Sequence, residues 1–81
     1  MSRQNGNGFA WTKREESLTA VTKIGHYRIA RPGGHAIGVG AYFRRGWDEQ
    51  ELGRFGTIER ARDRCDQHYS EMRHILKPVA A

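Results

Sequence analysis

The segment 26–30 alternates between polar and apolar side chains and constrains the fold more than any other feature. Successive residues of a β-strand point to opposite faces, so Tyr27 and Ile29 share one face and the polar side chains share the other. A second alternating run covers 36–44, and Pro32-Gly33-Gly34 separates the two runs. Proline presets φ for a turn and glycine allows positive φ. The pattern therefore predicts an antiparallel hairpin with one apolar and one basic face.

Shorter strands are predicted on both sides of this hairpin. Residues 18–23 combine Leu, Val and Thr, which favour strands, and are followed by a glycine turn. Residues 45–50 form a mainly polar segment that indicates the next turn, while 52–55 indicate a short final strand or an extended lead-in to the helix. Phe9 and Trp11 lie on one side of an extended segment near the start of the chain.

One helix is predicted at 58–75. Thr57 is a suitable N-cap, Glu59 suits the positive end of the helix dipole, and Pro78 prevents continuation. Apolar residues recur at spacings of three and four, which indicates a stripe facing the core. The expected fold is α+β, with a three- to four-stranded antiparallel β-meander packed on one C-terminal α-helix. The expected core comprises Tyr27, Ile29, Ile37, Val39, Phe43, Leu52 and Phe55 on the sheet, and Ile58, Ala61, Cys65, Tyr69, Met72 and Leu76 on the helix.

The length of 81 residues predicts one domain with a thin core. Residues 1–8 are polar and glycine-rich and are expected to form a flexible tail, 9–77 the domain, and 78–81 a short C-terminal tail. A single cysteine, Cys65, excludes an internal disulfide and suits a reducing compartment. With no apolar targeting or membrane-spanning run in the sequence, the expected location is the cytoplasm.

Charge is distributed unevenly along the chain. Residues 17–47 contain no carboxylate, and all nine acidic residues lie outside this stretch. The net charge is +5, and arginine greatly outnumbers lysine. Guanidinium groups bind phosphates and carboxylates in a fixed fork, so the pattern predicts a nucleic-acid or acidic protein partner. A solvated face that is basic for solubility is the alternative. The candidate binding residues are Arg28, Arg31, His35, Tyr42, Arg44, Arg45, Trp47 and Arg54.

Other chemistries have weaker support in the sequence. Cys65 and His68 stand three apart on the predicted helix, but a zinc site needs four converging ligands. Cys65 also falls on the core stripe, where a cysteine is poorly placed as a nucleophile. No phosphate-binding loop is present, because the glycines belong to the hairpin. We therefore expect that the protein has no enzyme activity and binds no metal and no cofactor.

The junction Leu52-Gly53-Arg54-Phe55-Gly56-Thr57-Ile58-Glu59-Arg60-Ala61 resembles that of AP2-like DNA-binding domains, where the last strand runs into the helix. The resemblance extends over 27–72. It implies a three-stranded sheet packed on one helix, with the sheet reading the DNA major groove. The residues that would take this role are Arg28, Arg31, Arg44 and Arg54.

The chain also looks like the small accessory proteins of phages and prophages, a size class that includes anti-CRISPR inhibitors. This likeness is one of size and organisation. It implies an inhibitor that binds a nucleic-acid-processing complex and blocks its nucleic-acid binding or nuclease recruitment. Three hypotheses thus remain open: a nucleic-acid-binding module, a protein inhibitor using the same arginine and aromatic surface, and a homodimer that pairs through an edge strand.

Overall fold

The computed structural model describes residues 9–14, 17–31 and 38–78 and contains one five-stranded sheet and one helix. The strands are β1 (Thr12–Arg14), β2 (Ser17–Thr22), β3 (Gly25–Ala30), β4 (Val39–Arg45) and β5 (Asp48–Phe55), and the helix is α1 (Ile58–Met72). All neighbouring strands are antiparallel and follow the chain order β1-β2-β3-β4-β5. The predicted α+β meander with a C-terminal helix is confirmed, but the sheet has five strands instead of three or four.

β1 is the additional strand, and β5 is longer than the predicted final strand at 52–55. β1 has three polar, exposed residues, so it carries no apolar alternation by which to recognise it. β5 begins at Asp48, inside the segment 45–50 that was predicted to be a turn. Its charged residues have low strand preference. Gly46, at φ +63°, allows a tight turn, so pairing resumes at once between Arg45 and Asp48.

α1 covers one face of the sheet, and the core lies between them. Tyr27, Ile29, Val39 and Phe43 are buried as predicted, together with three predicted helix residues, Ala61, Cys65 and Tyr69. The predicted residues Leu52, Phe55, Met72 and Leu76 are partly buried against this core. Ile58 was also expected in the core but is 38% exposed at the first turn of α1. Ile37 lies outside the described residues.

The core also contains a polar residue that the sequence pattern did not indicate. His68 is buried, and its Nδ1 shares a 2.7 Å hydrogen bond with the hydroxyl of Tyr27. The Phe43 ring lies 4.7 Å from the His68 ring, and Phe9 stacks on Tyr27 at 5.2 Å. The hydrogen bond pairs the Tyr27 hydroxyl with Nδ1 of His68, so a histidine on the helix can face an aromatic core.

α1 begins as predicted and ends earlier. The Thr57 hydroxyl accepts a hydrogen bond from the Arg60 amide at 3.2 Å, which is an N-cap. The helix ends at Met72, three residues before the predicted end at Ile75. The amides of Ile75 and Leu76 both donate to the Met72 carbonyl, so the chain tightens into turns there. Among the described residues, no helix has the length and apolar character needed to cross a bilayer.

The predicted tail 1–8 and residues 79–81 of the predicted C-terminal tail lie outside the described residues. The domain boundaries 9–77 and 78–81 therefore remain predictions.

Candidate binding surface

The face of the sheet opposite α1, here called the outer face, carries three rows of cross-strand neighbours. The strand registers fix these rows because directly paired residues point to the same side. The first row runs from β1 to β5 and contains Arg14, Ser17, Ala30, Gly40 and Arg54. The second row also runs from β1 to β5 and contains Thr12, Thr19, Arg28, Tyr42 and Glu51. The third row begins on β2 and contains Val21, His26, Arg44 and Glu49.

Arg28 is held in place at the centre of the outer face. Its guanidinium carbon lies 4.6 Å from the centroid of the Tyr42 ring, and Nη2 donates to Glu49 Oε1 at 3.0 Å. The Tyr42 ring lies across Gly40, where a Cβ atom would approach the phenol oxygen to 2.6 Å. Gly40 therefore allows the Tyr42 ring to lie against the sheet. That ring supports the guanidinium group of Arg28, whose side chain remains 40% exposed.

Folding alters the charge pattern that the sequence suggested. Residues 17–47 lack carboxylates, but β5 brings Glu49 and Glu51 onto the outer face. Glu51 lies 3.4 Å from the Nε atom of Arg54, and Glu49 pairs with Arg28. The expectation that no carboxylate opposes these arginines is therefore wrong, because strand pairing places acidic residues from later in the chain beside them. Exposed pairs of this kind contribute about 0–1 kcal/mol each.

One end of the outer face keeps its basic and apolar groups exposed. The two turns β2–β3 and β4–β5 lie at this end, and a shallow depression of about 320 Å³ is lined there by Gly25, His26, Arg44 and Gly46. Arg44 donates to the Gly46 carbonyl at 3.2 Å and has no carboxylate within 4 Å among the described residues. Trp47, in the β4–β5 turn, is 96% exposed. We call this region the turn end.

Three predicted binding residues lie elsewhere or cannot be placed. Arg45 lies on the helix side, where Nη1 donates to the carbonyls of Ile24 at 2.9 Å and Lys77 at 2.8 Å. These bonds tie the C-terminal segment to the β2–β3 turn. Arg31 follows β3 and is exposed beside the first turns of α1. His35 lies outside the described residues.

Two residues that were not predicted to bind a partner share the surface with the predicted ones. Arg14 reaches the outer face because β1 pairs with β2, which no sequence pattern indicated. Val21 is 74% exposed at the turn end, near the β2–β3 turn. The alternation of 18–23 was the one signal that could have placed it on the outer face.

The residues considered for catalysis or metal binding lie in the core. Cys65 is fully buried, and burial raises the pKa of its thiol to about 12, so it is protonated at neutral pH. Burial also lowers the pKa of His68 below its ordinary value, and the nearby Arg64 guanidinium lowers it further. Within the described residues no three His, Cys, Asp or Glu side chains come together as metal ligands.

The depressed pKa of His68 predicts a loss of stability in mild acid. Below a pH of about 6.5 the unfolded chain takes up a proton that the folded chain excludes. The free energy of unfolding therefore decreases as the pH is lowered. One proton gives a slope of at most about 1.4 kcal/mol per pH unit. Urea unfolding between pH 8 and pH 5 measures the slope, and a His68→Gln variant should lose it. An unchanged slope in that variant would assign the effect to other groups.

Comparison of the chain with protein-family models, with curated proteins and with solved structures found no match.

Proposed function

We propose that this protein binds single-stranded nucleic acid through the outer face, with the turn end as the main contact. The observation that carries the proposal is the exposed Trp47 beside a depression that Arg44 and His26 line. A free indole offers a stacking surface to any base, and guanidinium groups bind the phosphates between bases. Tyr42 supports Arg28 as a second planar surface in the middle of the same face.

The dimensions of the sheet favour a single strand over a duplex. Five strands at about 4.8 Å spacing extend over about 19 Å, whereas the DNA major groove is about 12 Å wide. A three-stranded sheet of the AP2-like type is narrower than this one. The greater width of the five-stranded sheet argues against insertion into the major groove of a DNA duplex. A broad open sheet with arginine and aromatic groups suits unpaired bases laid across it.

The charge of the outer face is compatible with a polyanion although acidic residues are present. Its rows contain Arg14, Arg28, Arg44 and Arg54 against two carboxylates, Glu49 and Glu51. The carboxylates lie on β5 and hold the guanidiniums of Arg28 and Arg54 in position. The chain as a whole carries +5, so an approaching strand is attracted.

Trp47→Ala is expected to weaken binding of a labelled oligothymidylate of about 12 nucleotides by about tenfold, since stacking contributes about 1–3 kcal/mol per base.

Arg44→Ala should weaken binding of the same oligonucleotide and reduce the slope of log K against log salt concentration by about 0.7, the value for one phosphate on a single strand. Fluorescence anisotropy at several salt concentrations measures both effects.

Arg73→Ala is the matched control, because it removes one positive charge from an exposed site beyond the end of α1. It should change binding by less than Arg44→Ala does. Equal weakening by the two variants would indicate attraction by net charge without a defined surface. Absence of binding at physiological salt would contradict the proposal.

A second candidate is an inhibitor of the anti-CRISPR type that docks the same surface on a protein complex. The observation in its favour is that the turn end exposes Val21 and Trp47 while Glu49 adds negative charge. Exposed tryptophan and arginine with mixed charges are typical of protein interfaces. Capture of an effector complex by the protein, lost in Trp47→Ala and nearly independent of salt, would favour this candidate over nucleic-acid binding.

A further inference from the structure

A second basic site lies on the opposite side of the sheet from the outer face. A groove of about 570 Å³ opens between the β1–β2 edge and the first turns of α1. Three cationic side chains, Lys13, Arg31 and Arg62, line it together with one carboxylate, Glu59. We call it the basic groove. None of the three cations has a carboxylate within 4 Å among the described residues.

Two buried hydrogen-bond donors at this end of the molecule lack acceptors. Among the described residues, the buried side-chain nitrogens without a partner are Trp11 Nε1 and Arg62 Nε. They belong to neighbouring groups, because the Arg62 guanidinium carbon lies 5.8 Å from the centroid of the Trp11 ring. Buried donors are almost always paired in folded proteins, so two unpaired donors on neighbouring side chains are unusual. Arg62 also lines the basic groove, whereas Trp11 does not, so an acceptor in the groove would reach Arg62 Nε only after a shift of the Arg62 side chain.

The lining defines the chemistry of the acceptor. Among the described residues the lining has three cations against one carboxylate, which is an excess of positive charge. Guanidinium groups match the geometry of phosphate oxygens. Leu18 and Ile58 supply an apolar part of the same wall. The volume lies within the range of small-molecule sites. These features fit a ligand with a phosphate group attached to a less polar body.

We propose that the basic groove binds a terminal phosphate group, as carried by a nucleoside phosphate or by the 5′ end of a nucleic-acid strand. Lys13 and Arg31 approach it from the sheet side and Arg62 from α1. The site is separate from the outer face, because Arg44 and Trp47 lie at the turn end and line no part of the groove. The proposal therefore does not depend on the function proposed above.

ADP is the first probe, with adenosine as the uncharged comparison. Isothermal titration of the full chain should give saturable binding of ADP and no binding of adenosine at the same concentration. The double variant Lys13→Ala, Arg31→Ala should weaken ADP binding by about tenfold or more, since hydrogen bonds to charged groups contribute strongly. Neither side chain is buried, so the variant should unfold at the temperature of the parent protein.

Two control variants separate the groove from general charge and from the outer face. Lys23→Ala, Arg73→Ala removes the same charge at exposed positions outside the groove lining and should leave ADP affinity within about twofold of the parent. Arg44→Ala, Trp47→Ala alters the turn end and should likewise leave it unchanged. Equal weakening by either control, or no saturable ADP binding at millimolar concentration, would overturn the proposal.

A comparison of oligothymidylates with a 5′ phosphate and with a 5′ hydroxyl distinguishes the two sources of the phosphate. Tighter binding of the phosphorylated strand, lost in Lys13→Ala, Arg31→Ala, would assign the groove to strand ends. Equal binding of the two strands, with ADP binding retained, would assign it to free nucleoside phosphates.

Discussion

Tyr27→Ala is expected to lower the free energy of unfolding by about 3–5 kcal/mol, a large part of the total. Tyr27 is fully buried, its ring lies 4.9 Å from Phe43 and 5.2 Å from Phe9, and its hydroxyl bonds His68. Removing a buried aromatic ring costs about 3–5 kcal/mol. At about 0.05–0.15 kcal/mol per residue, a chain of 81 residues has about 4–12 kcal/mol in total. Circular dichroism during urea unfolding measures the remaining stability.

Tyr27→Phe is the matched control, because it keeps the ring and removes only the hydroxyl. It leaves Nδ1 of the buried His68 without its partner, which should cost about 1–3 kcal/mol and preserve a cooperative transition. The difference between the two variants isolates the contribution of the ring. Similar losses for alanine and phenylalanine would show that the ring contributes little and that the hydrogen bond dominates.

Gly38→Ala is expected to cost about 3 kcal/mol or more. Gly38 precedes β4 at φ +89°, a conformation that strains side-chain-bearing residues by about 1–3 kcal/mol. A Cβ atom there would also overlap the carbonyl oxygen of Phe55 on β5. Because that atom belongs to the backbone, the β4–β5 pairing would have to shift, which adds about 1–3 kcal/mol. Thermal or urea unfolding measures the loss.

Gly46→Ala separates the two contributions. Gly46 also has a positive φ, +63°, but a Cβ atom there would meet nothing within 4 Å. We expect a loss of about 1 kcal/mol from the backbone conformation alone. If Gly46→Ala were as damaging as Gly38→Ala, the overlap with Phe55 would have no energetic weight.

The core hairpin and the helix were predictable because their side-chain periods are strong. A period of two in 26–30 identified β3 and its buried face, and spacings of three and four identified the α1 stripe of Ala61, Cys65 and Tyr69. β1 and the first half of β5, residues 48–51, were not predictable in this way. β1 is exposed throughout and most of β5 is exposed, so neither needs the apolar alternation that a buried face requires.

The candidate surface was predicted in outline, and its composition changed on folding. Arg28, Tyr42, Arg44 and Arg54 do share the outer face, as the alternation of the hairpin suggested for the first three. Arg45 turns to the helix side because it is one residue further along β4 than Arg44, and a step of one reverses the face. This parity was readable from the sequence, whereas its hydrogen bonds to Ile24 and Lys77 were not.

The sequence by itself determined the properties that depend on neighbours along the chain: the hairpin, the capped helix, the basic net charge and the side to which the residues of the hairpin strands point. The tertiary structure decided which distant groups meet. It brought Glu49 to Arg28, His68 to Tyr27, and Lys13 with Arg31 to the first turns of α1. The physical reason is that periodicity records whether a side chain is buried, while partners across strands depend on register and chain path, which no local pattern encodes.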